Sequence, residues 1–427
     1  MFDYERISSD VNKIFNHINK NKLKDEGLET YSSFYASVIK SFENHEHYER
    51  SFEIINPIFE RYLDNFLQFD KNKFKFFDQN KIKICFYLPN ISNSLAHIDL
   101  LHKTLNDFNE ENYDLYIATN KNFSNNISYK IKNLINRKKI KEIIHVDILS
   151  IKDIKKFSYR YKNFFERFIV WAVPLIIPLW IRVFSNKVIY VSLKFKYSSF
   201  INLSKGIYFS IDKNKEECQL KNTIWKKVET ELIDLSFIEH SRNLNKNKVR
   251  FITVNRIEKI RNEFFLDTVC EILKKIPSAN FSYTGRADDP LVRNYFRLNN
   301  FDDRAKFIGW VNPNEIINDY DIFLDVPYLS GIISANYFMS GMPVVSFEDT
   351  TSSYIDMIKN ELYNQYKIKF TFKSKKDYVD YVIKLTTDKE YFNKIRRNQI
   401  DSKFLFKKNN INLSQNFFRA IDEKNTI

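Results

Sequence analysis

Apolar residues recur at three- and four-residue intervals at the start of the chain, through Ile7, Val11, Ile14, Phe15 and Ile18, and "SFEIINPIFERYLDNFLQF" (51–69) continues the pattern. This spacing puts the apolar side chains on one face of a helix, and no strand-like alternation interrupts it. Residues 1–78 therefore read as an accessory helical region, which packs against the main body or against a second copy or partner subunit.

The pattern changes at "KIKICFYLPN" (81–90), a short apolar run that ends in Pro and Asn. An amphipathic helix follows in "SLAHIDLLHKTLNDF", then strand-like "YDLYIAT" and "IHVDIL", with "KVIYVSLKFKYSSF" further on. Strand, helix, strand in series implies a parallel sheet with crossover helices. A second alternation starts at "KVRFITV" (248–254) and runs through a helix, "YTGR", "KFIGWV", "DIFLDVP", a helix through "ISANYFMSG" and "MPVVSF", giving at least five strands. The predicted fold class is α/β, with two Rossmann-like doubly wound domains facing a cleft: 79–243 first, 244–403 second, and a C-terminal helix over 404–427 that packs back on the first domain.

The chain has 427 residues, 44% of them hydrophobic, enough for two cores. The net charge of +14 favours an anionic partner. Its Lys residues are interleaved with Asp, Glu and Asn rather than concentrated in a basic tract, which argues against nucleic acid. Cys85, Cys218 and Cys270 are far apart and lack metal-ligand spacing, as expected of reduced thiols in the cytoplasm. "MFDYERISSD" carries no basic and apolar signal segment. The apolar run "FIVWAVPLIIPLWI" (168–181) is shorter than a bilayer crossing of about 20 residues and contains Pro174 and Pro178, so it reads as a buried segment. Its flanks, Arg167 and Arg182, keep open a peripheral contact with the inner face of a membrane.

Glycine is scarce, yet Gly285, Gly309, Gly331 and Gly341 all fall in the second alternation. Where "DIFLDVP" runs out, Ser330, Gly331, Ile332, Ile333 and Ser334 lead into a helix, whose free N–H groups and positive end suit a phosphate or diphosphate. An ordinary βα turn has the same pattern. The loop "NRIEKIRN" after the first strand of this half adds Arg256, Lys259 and Arg261 at the same sheet edge, where guanidinium and ammonium groups bind phosphate oxygens.

In this half, "NRIEKI", "YTGR", "KFIGWV", "DIFLDVP" and "SGMPVVSF" resemble the donor domain of GT-B glycosyltransferases, most closely the O-GlcNAc transferase and adhesin N-glycosyltransferase group. Asn255, Arg256, Lys259 and Ile260 match one family segment, and Leu324, Asp325 and Pro327 another. The resemblance covers about residues 80–400 and extends weakly to "YVSLKFK" through Ser192 and Lys194, on the acceptor or sugar side. It implies that Lys259 and Arg256 hold the diphosphate of a nucleotide sugar, with Arg261, Gly285 and Arg286 nearby. The Ser330–Ser334 turn then caps the phosphates, Trp310 and Val311 receive the base, and Asn336 takes the ribose-binding position. Two departures bear on this. Asn336 replaces a carboxylate, forgoing about 1 kcal/mol of charge-assisted bonding, and "GII" replaces the usual Thr hydroxyls. The paired glutamates of many retaining relatives are also missing, with Tyr328 and Asn336 in their place, which points to inversion.

Inverting transfer needs a base at the acceptor and positive charge on the leaving diphosphate. His97 is the first candidate for the base and Asp99 the second; a capping or solvated histidine is the alternative for His97. "DYD" (319–321) precedes a strand and so lies at the edge away from the expected site. With no clustered ligand spacing elsewhere, neither a metal nor another cofactor is expected. The expected partners are a nucleotide sugar, with UDP as its nucleotide, and a glycan or protein acceptor. A catalytically silent GT-B subunit that binds a partner enzyme or glycan is the competing reading.

Overall fold

The computed structural model describes residues 4–40, 45–67, 81–91, 96–108, 111–121, 127–171, 177–192, 203–210, 218–220, 222–229, 238–285, 287–327, 332–348, 369–406 and 412–423. The chain divides into two units, Met1–Thr230 with Ile411–Ile427, and Glu231–Asn410.

The first unit opens with helices α1 (Tyr4–Lys20), α2 (Glu26–Lys40) and α3 (His45–Phe66). Their shared face is aromatic: Tyr31 stacks on Phe59 at 3.9 Å between centroids, and Phe15 meets Tyr62 edge-on at 5.6 Å. Phe15 and Ile18 are buried, whereas Ile14 lies off this face and is half-exposed. The bundle shares one apolar core with the sheet that follows. Asp25 also accepts the Ile151 N–H at 2.8 Å, satisfying a donor in the first turn of a later helix.

That sheet contains β1 (Ile82–Leu88), β2 (Tyr113–Asn120), β3 (Glu142–Val146), β4 (Arg167–Trp171), β5 (Val188–Ser192), β6 (Lys205–Ser210), β7 (Cys218–Leu220) and β8 (Thr223–Glu229). Its order is β3-β2-β1-β4-β5-β6-β8-β7, and β7 alone among these strands runs antiparallel to its neighbour. The intervening helices are α4 (Ala96–Asn106), α5 (Tyr129–Asn136), α6 (Ile151–Tyr161) and α7 (Ile177–Phe184). The apolar run near residue 170 forms β4 and α7; Phe168–Trp171, Leu179 and Trp180 are fully buried. Among the described residues, no helix is long and apolar enough to cross a membrane.

The second unit holds β9 (Arg250–Thr253), α8 (Ile257–Ile260), α9 (Glu263–Lys275), β10 (Asn280–Tyr283), α10 (Pro290–Leu298), β11 (Ala305–Phe307), β12 (Ile322–Leu324), α11 (Ile332–Met339), β13 (Val344–Phe347), β14 (Thr371–Phe372), α12 (Lys375–Thr387) and α13 (Lys389–Phe406). Its sheet is parallel, in the order β11-β10-β9-β12-β13-β14. Helix starts follow local chemistry: Asn262 caps α9, and Asp289 followed by Pro290 caps α10. Cys85 and Cys270 are buried free thiols.

This unit begins before residue 244, where the sequence reading places it. His240 donates its backbone N–H to Ser340 O (2.8 Å), and Arg242 Nε donates to the fully buried Asp321 (2.8 Å). Asp321 accepts the Arg250 N–H as well (2.7 Å), so the second carboxylate of "DYD" ties the entering chain to the start of β9. At the far end α13 continues to Phe406, past the expected limit at 403. A further helix, α14 (Leu413–Asp422), packs in the first unit, where Phe417 lies 5.6 Å from the Trp171 ring and 6.1 Å from Phe209.

Two glycines separate the cost of a left-handed backbone from the cost of a clash. Gly309 has φ +78° and open space where a Cβ would sit; Gly341 has φ +85°, and its Cβ would lie 2.5 Å from Ile400 Cγ1. Gly309→Ala should cost about 1 kcal/mol of unfolding free energy and Gly341→Ala about 3 kcal/mol, read from urea titrations; equal costs would contradict this packing.

Candidate functional site

In the second sheet the chain starts at β9, winds outward to β10 and β11, then returns to β12 on the other side of β9 and continues to β13 and β14. The loops leaving β9 and β12 therefore diverge in opposite directions from neighbouring strand ends. Ligands of doubly wound sheets bind at such a reversal, outside the carboxyl ends of the strands.

From β9, the chain passes Asn255 and the exposed Arg256 into the single turn of α8, which carries half-buried Lys259. Among the described residues, Arg256 takes no carboxylate partner. Arg261 faces Asp289 at 3.6 Å, so its guanidinium is shared with the cap of α10. From β10, Gly285 donates its N–H to Gly309 O at 3.2 Å, tying the β10 loop to the β11 loop. Trp310 follows, 65% exposed, with half-buried Val311 beside it. A large aromatic ring this exposed at a strand end offers a stacking face.

From β12, the chain passes Asp325, Val326 and Pro327, and α11 starts at Ile332. Ile333 is half-buried; Ser334 and Asn336 are buried in the first turns of α11. The Asn336 carbonyl accepts from the Ser340 N–H and hydroxyl. Arg286, Ser330 and Gly331 lie outside the described residues, as does Lys194, and only the backbone of Ile332 is described.

Asp325 is the residue to which the sequence reading gives a motif match but no role. Its side chain is completely buried at the end of β12. One carboxylate oxygen accepts the Val326 N–H (3.0 Å), the other the Ser346 hydroxyl from β13 (3.1 Å). The Ser334 hydroxyl lies close enough to hold the carboxyl down but outside direct bonding geometry, and the Lys259 charge acts in the same direction. Burial outweighs these effects and pushes Asp325 up to about 6. The signal in the sequence is a carboxylate that directly ends the otherwise apolar "IFL".

The first sheet has the same reversal between β1 and β4, and the first turn of α4 sits there with His97. The β4 residue Trp171 donates its indole N–H to the His97 carbonyl at 2.9 Å, fixing the backbone. The imidazole Nε2 lies 3.4 Å from Asn90 O, an arrangement that leaves Nδ1 as acceptor when Nε2 carries the proton. Burial lowers the pKa of His97, against smaller raising effects from the Asn90 carbonyl and Asp99. Asp99 itself pairs with Lys130 at 2.6 Å. Ser192 is buried at the end of β5. Among the described residues, no group of three or more His, Cys, Asp or Glu side chains is placed to hold a metal ion.

No family model matches the chain, and no curated protein matches it in sequence. Solved structures do. The chain is similar to an O-GlcNAc transferase variant of Thermobaculum terrenum, with a TM-score of 0.60 at 13% identity over 97% of this chain and 84% of that one. It is also similar to a variant of S. aureus TarM solved with fondaparinux, alpha-GlcNAc-glycerol and UDP, with a TM-score of 0.55 at 8% identity over 80% and 100%. The apo lipopolysaccharide outer core galactosyltransferase WaaB gives a TM-score of 0.53 at 14% identity over 80% and 99%. The fold is GT-B: two Rossmann-like units with additional N-terminal helices.

The lowered pKa of His97 can be measured directly. Its ring resonances, assigned by their loss in His97→Asn, should titrate below the ordinary histidine midpoint of about 6.5; a midpoint at or above that value would show an imidazole in contact with water.

Proposed function

We propose that this protein is a glycosyltransferase that transfers a hexose or N-acetylhexosamine from a UDP-sugar to a bacterial surface glycan or protein. The observation that carries the reading is the meeting, at the β9–β12 reversal, of a cationic turn and the start of a helix. Arg256 and Lys259 come from one strand end, and the first turn of α11 from the next. Departure of a nucleoside diphosphate builds charge on the phosphate oxygens, and fixed positive groups there stabilise it without a metal ion. Trp310 stacks the base, with Val311 beside it, and Asn336 bonds the ribose.

His97, neutral at pH 7, takes the proton from the acceptor, and inversion follows from attack opposite the leaving diphosphate. The net charge of +14 suits an acceptor held at an anionic membrane surface, which the protein reaches from the cytoplasm as a peripheral partner. The resemblance to O-GlcNAc and adhesin N-glycosyltransferases, together with the similar T. terrenum structure, supports protein modification; similarity to TarM and WaaB supports glycan extension. A second reading, a catalytically silent subunit, has its own support: the chain carries Ile332 and Ile333 where the resembled group has hydroxyls, and Asn336 for a carboxylate.

Calorimetric titration separates the two. Submillimolar binding of UDP, weakened at least about tenfold by Lys259→Ala, is expected of the enzyme; no binding at all would identify the silent subunit. With a donor found by mass spectrometry of products from a panel of nucleotide sugars, His97→Asn should lower kcat by about 100-fold or more while leaving UDP affinity unchanged. A change in affinity with kcat preserved would move His97 out of the catalytic role.

A further inference from the structure

His97 is joined to a distant part of the chain by a short series of contacts. Its carbonyl, in the first turn of α4, accepts the indole N–H of Trp171 at 2.9 Å. A carbonyl oxygen has two lone pairs, so a helical carbonyl can take this outside donor and still serve its own helix. Trp171 ends β4 and is fully buried. Three phenylalanine rings meet its ring edge-on: Phe86 of β1 at 5.9 Å, Phe209 of β6 at 5.8 Å and Phe417 of α14 at 5.6 Å. Phe86 and Phe209 belong to the sheet itself, whereas Phe417 comes from a helix near the other end of the sequence.

α14 is fastened in turn. Phe417 also stacks on Phe86 at 6.2 Å and on Phe209 at 6.1 Å. Lys205 Nζ donates to the Ala420 and Ile421 carbonyls at 3.2 and 3.0 Å, which caps the last turn of the helix. Lys226 pairs with Glu423 at 3.3 Å, and the Tyr113 hydroxyl donates to the Asp422 carboxylate. The neighbouring Phe418 stacks at 5.5 Å on Phe108, just beyond the end of α4. α14 thus holds α4 at both ends, through Trp171 at the first turn and Phe108 past the last.

A buried indole needs an acceptor in any folded core, and many would serve. This one is the main-chain oxygen of the residue proposed as the base. General-base catalysis requires the imidazole nitrogen within about 3.2 Å of the group it deprotonates, and a displacement of about 1 Å can cost about 100-fold. A tilt of the first turn of α4 carries the imidazole with it.

We propose that Trp171 and Phe417 are positioning residues for His97: the indole N–H fixes the first turn of α4, and α14, through Phe417, fixes the indole. The inference rests on the reading of His97 as the base. α14 is then a working part of the acceptor half rather than a cover for its core. The residues proposed to bind the diphosphate belong to the other unit, so the two functions separate: loosening α14 disables transfer and spares UDP.

The experiment is a kinetic double-mutant cycle with UDP calorimetry alongside, on the full chain with the donor found in the nucleotide-sugar panel. Trp171→Phe, which keeps a ring and removes the N–H, should lower kcat about tenfold, and Phe417→Leu about fivefold, both with UDP affinity within about twofold of wild type. Together they should cost little more than Trp171→Phe alone, because Phe417 acts through the indole. Phe15→Leu, the same truncation in the buried core of the N-terminal helices, should lower Tm as Phe417→Leu does and hold kcat within about twofold. In the His97→Asn background, Trp171→Phe should change kcat by less than about twofold, since no imidazole remains to be aimed. The ring resonances of His97 should broaden in Phe417→Leu through conformational exchange.

Equal kcat losses in Phe15→Leu and Phe417→Leu overturn the inference, by reducing α14 to a source of stability. Losses in Trp171→Phe and Phe417→Leu that simply multiply overturn it as well, as do unaltered His97 resonances. A chain without transferase activity, or one in which His97→Asn keeps its kcat, ends the reading of His97 as base and this inference with it; a kcat loss in His97→Asn beside an indifferent Trp171→Phe sinks the inference alone.

Discussion

A parallel sheet can continue from one strand to the next only through a crossover, and the crossover is right-handed. From β9 the chain crosses twice in one direction, to β10 and β11, and must then return past β9 to lay down β12. That return leaves the loops after β9 and β12 splayed apart at adjacent strand ends, uncovered by a helix running between them. The proposed phosphate contacts flank the opening: the α8 turn with Arg256 and Lys259 on one side and the entry to α11, after Asp325, on the other. The first sheet repeats the constraint at β1 and β4, and the first turn of α4, with His97, lies at the corresponding place.

The two buried aspartates of the β12 strand show how the same side chain serves different ends. Asp321, before the strand, has a direct guanidinium partner in Arg242 and a backbone donor in Arg250, and it fastens chain segments together. Asp325, after the strand, is held by a hydroxyl and a backbone amide donor, from Ser346 and Val326. Burial raises the pKa of both. The difference is one of edge: a charge at the amino end of a parallel strand can serve structure alone, while one at the carboxyl end faces the ligand side.

Much of this was legible in the sequence because the strands of a parallel sheet are short apolar runs ended by loop residues. "KICFYL", "YDLYIAT", "RFIT" and "IFL" all became strands, and Arg256, Lys259, Gly285 and Gly309 lie in the segments that follow strands of the second sheet. What escaped had weaker local signals. β6 and β8 carry charged residues, Lys205, Lys226 and Lys227, inside their strands. Lys205 and Lys226 are nonetheless buried, so their polarity disguises strand as loop. The reason becomes apparent only in three dimensions, since Lys205 Nζ donates to the Ala420 and Ile421 carbonyls at 3.2 and 3.0 Å, and Lys226 pairs with Glu423. The start of the second unit was obscured in the same way: the polar "HSR" (240–242) falls in the first domain as the sequence reading divides the chain, yet His240 and Arg242 are anchored by contacts that lie about 80 residues on in the chain.

The lysine clamp on α14 carries a consequence for how the protein is made. Phe417 lies against rings of β1, β4 and β6, and Phe418 against Phe108 and Tyr113. These aromatic surfaces are synthesised early, but their cover leaves the ribosome only after Glu231–Asn410 has been translated. During that interval the nascent first unit exposes a sticky sheet face, and the cell must shield it or finish translation quickly. The first unit thus takes its last aromatic cover from α14, a segment more than 180 residues beyond β8 in the chain.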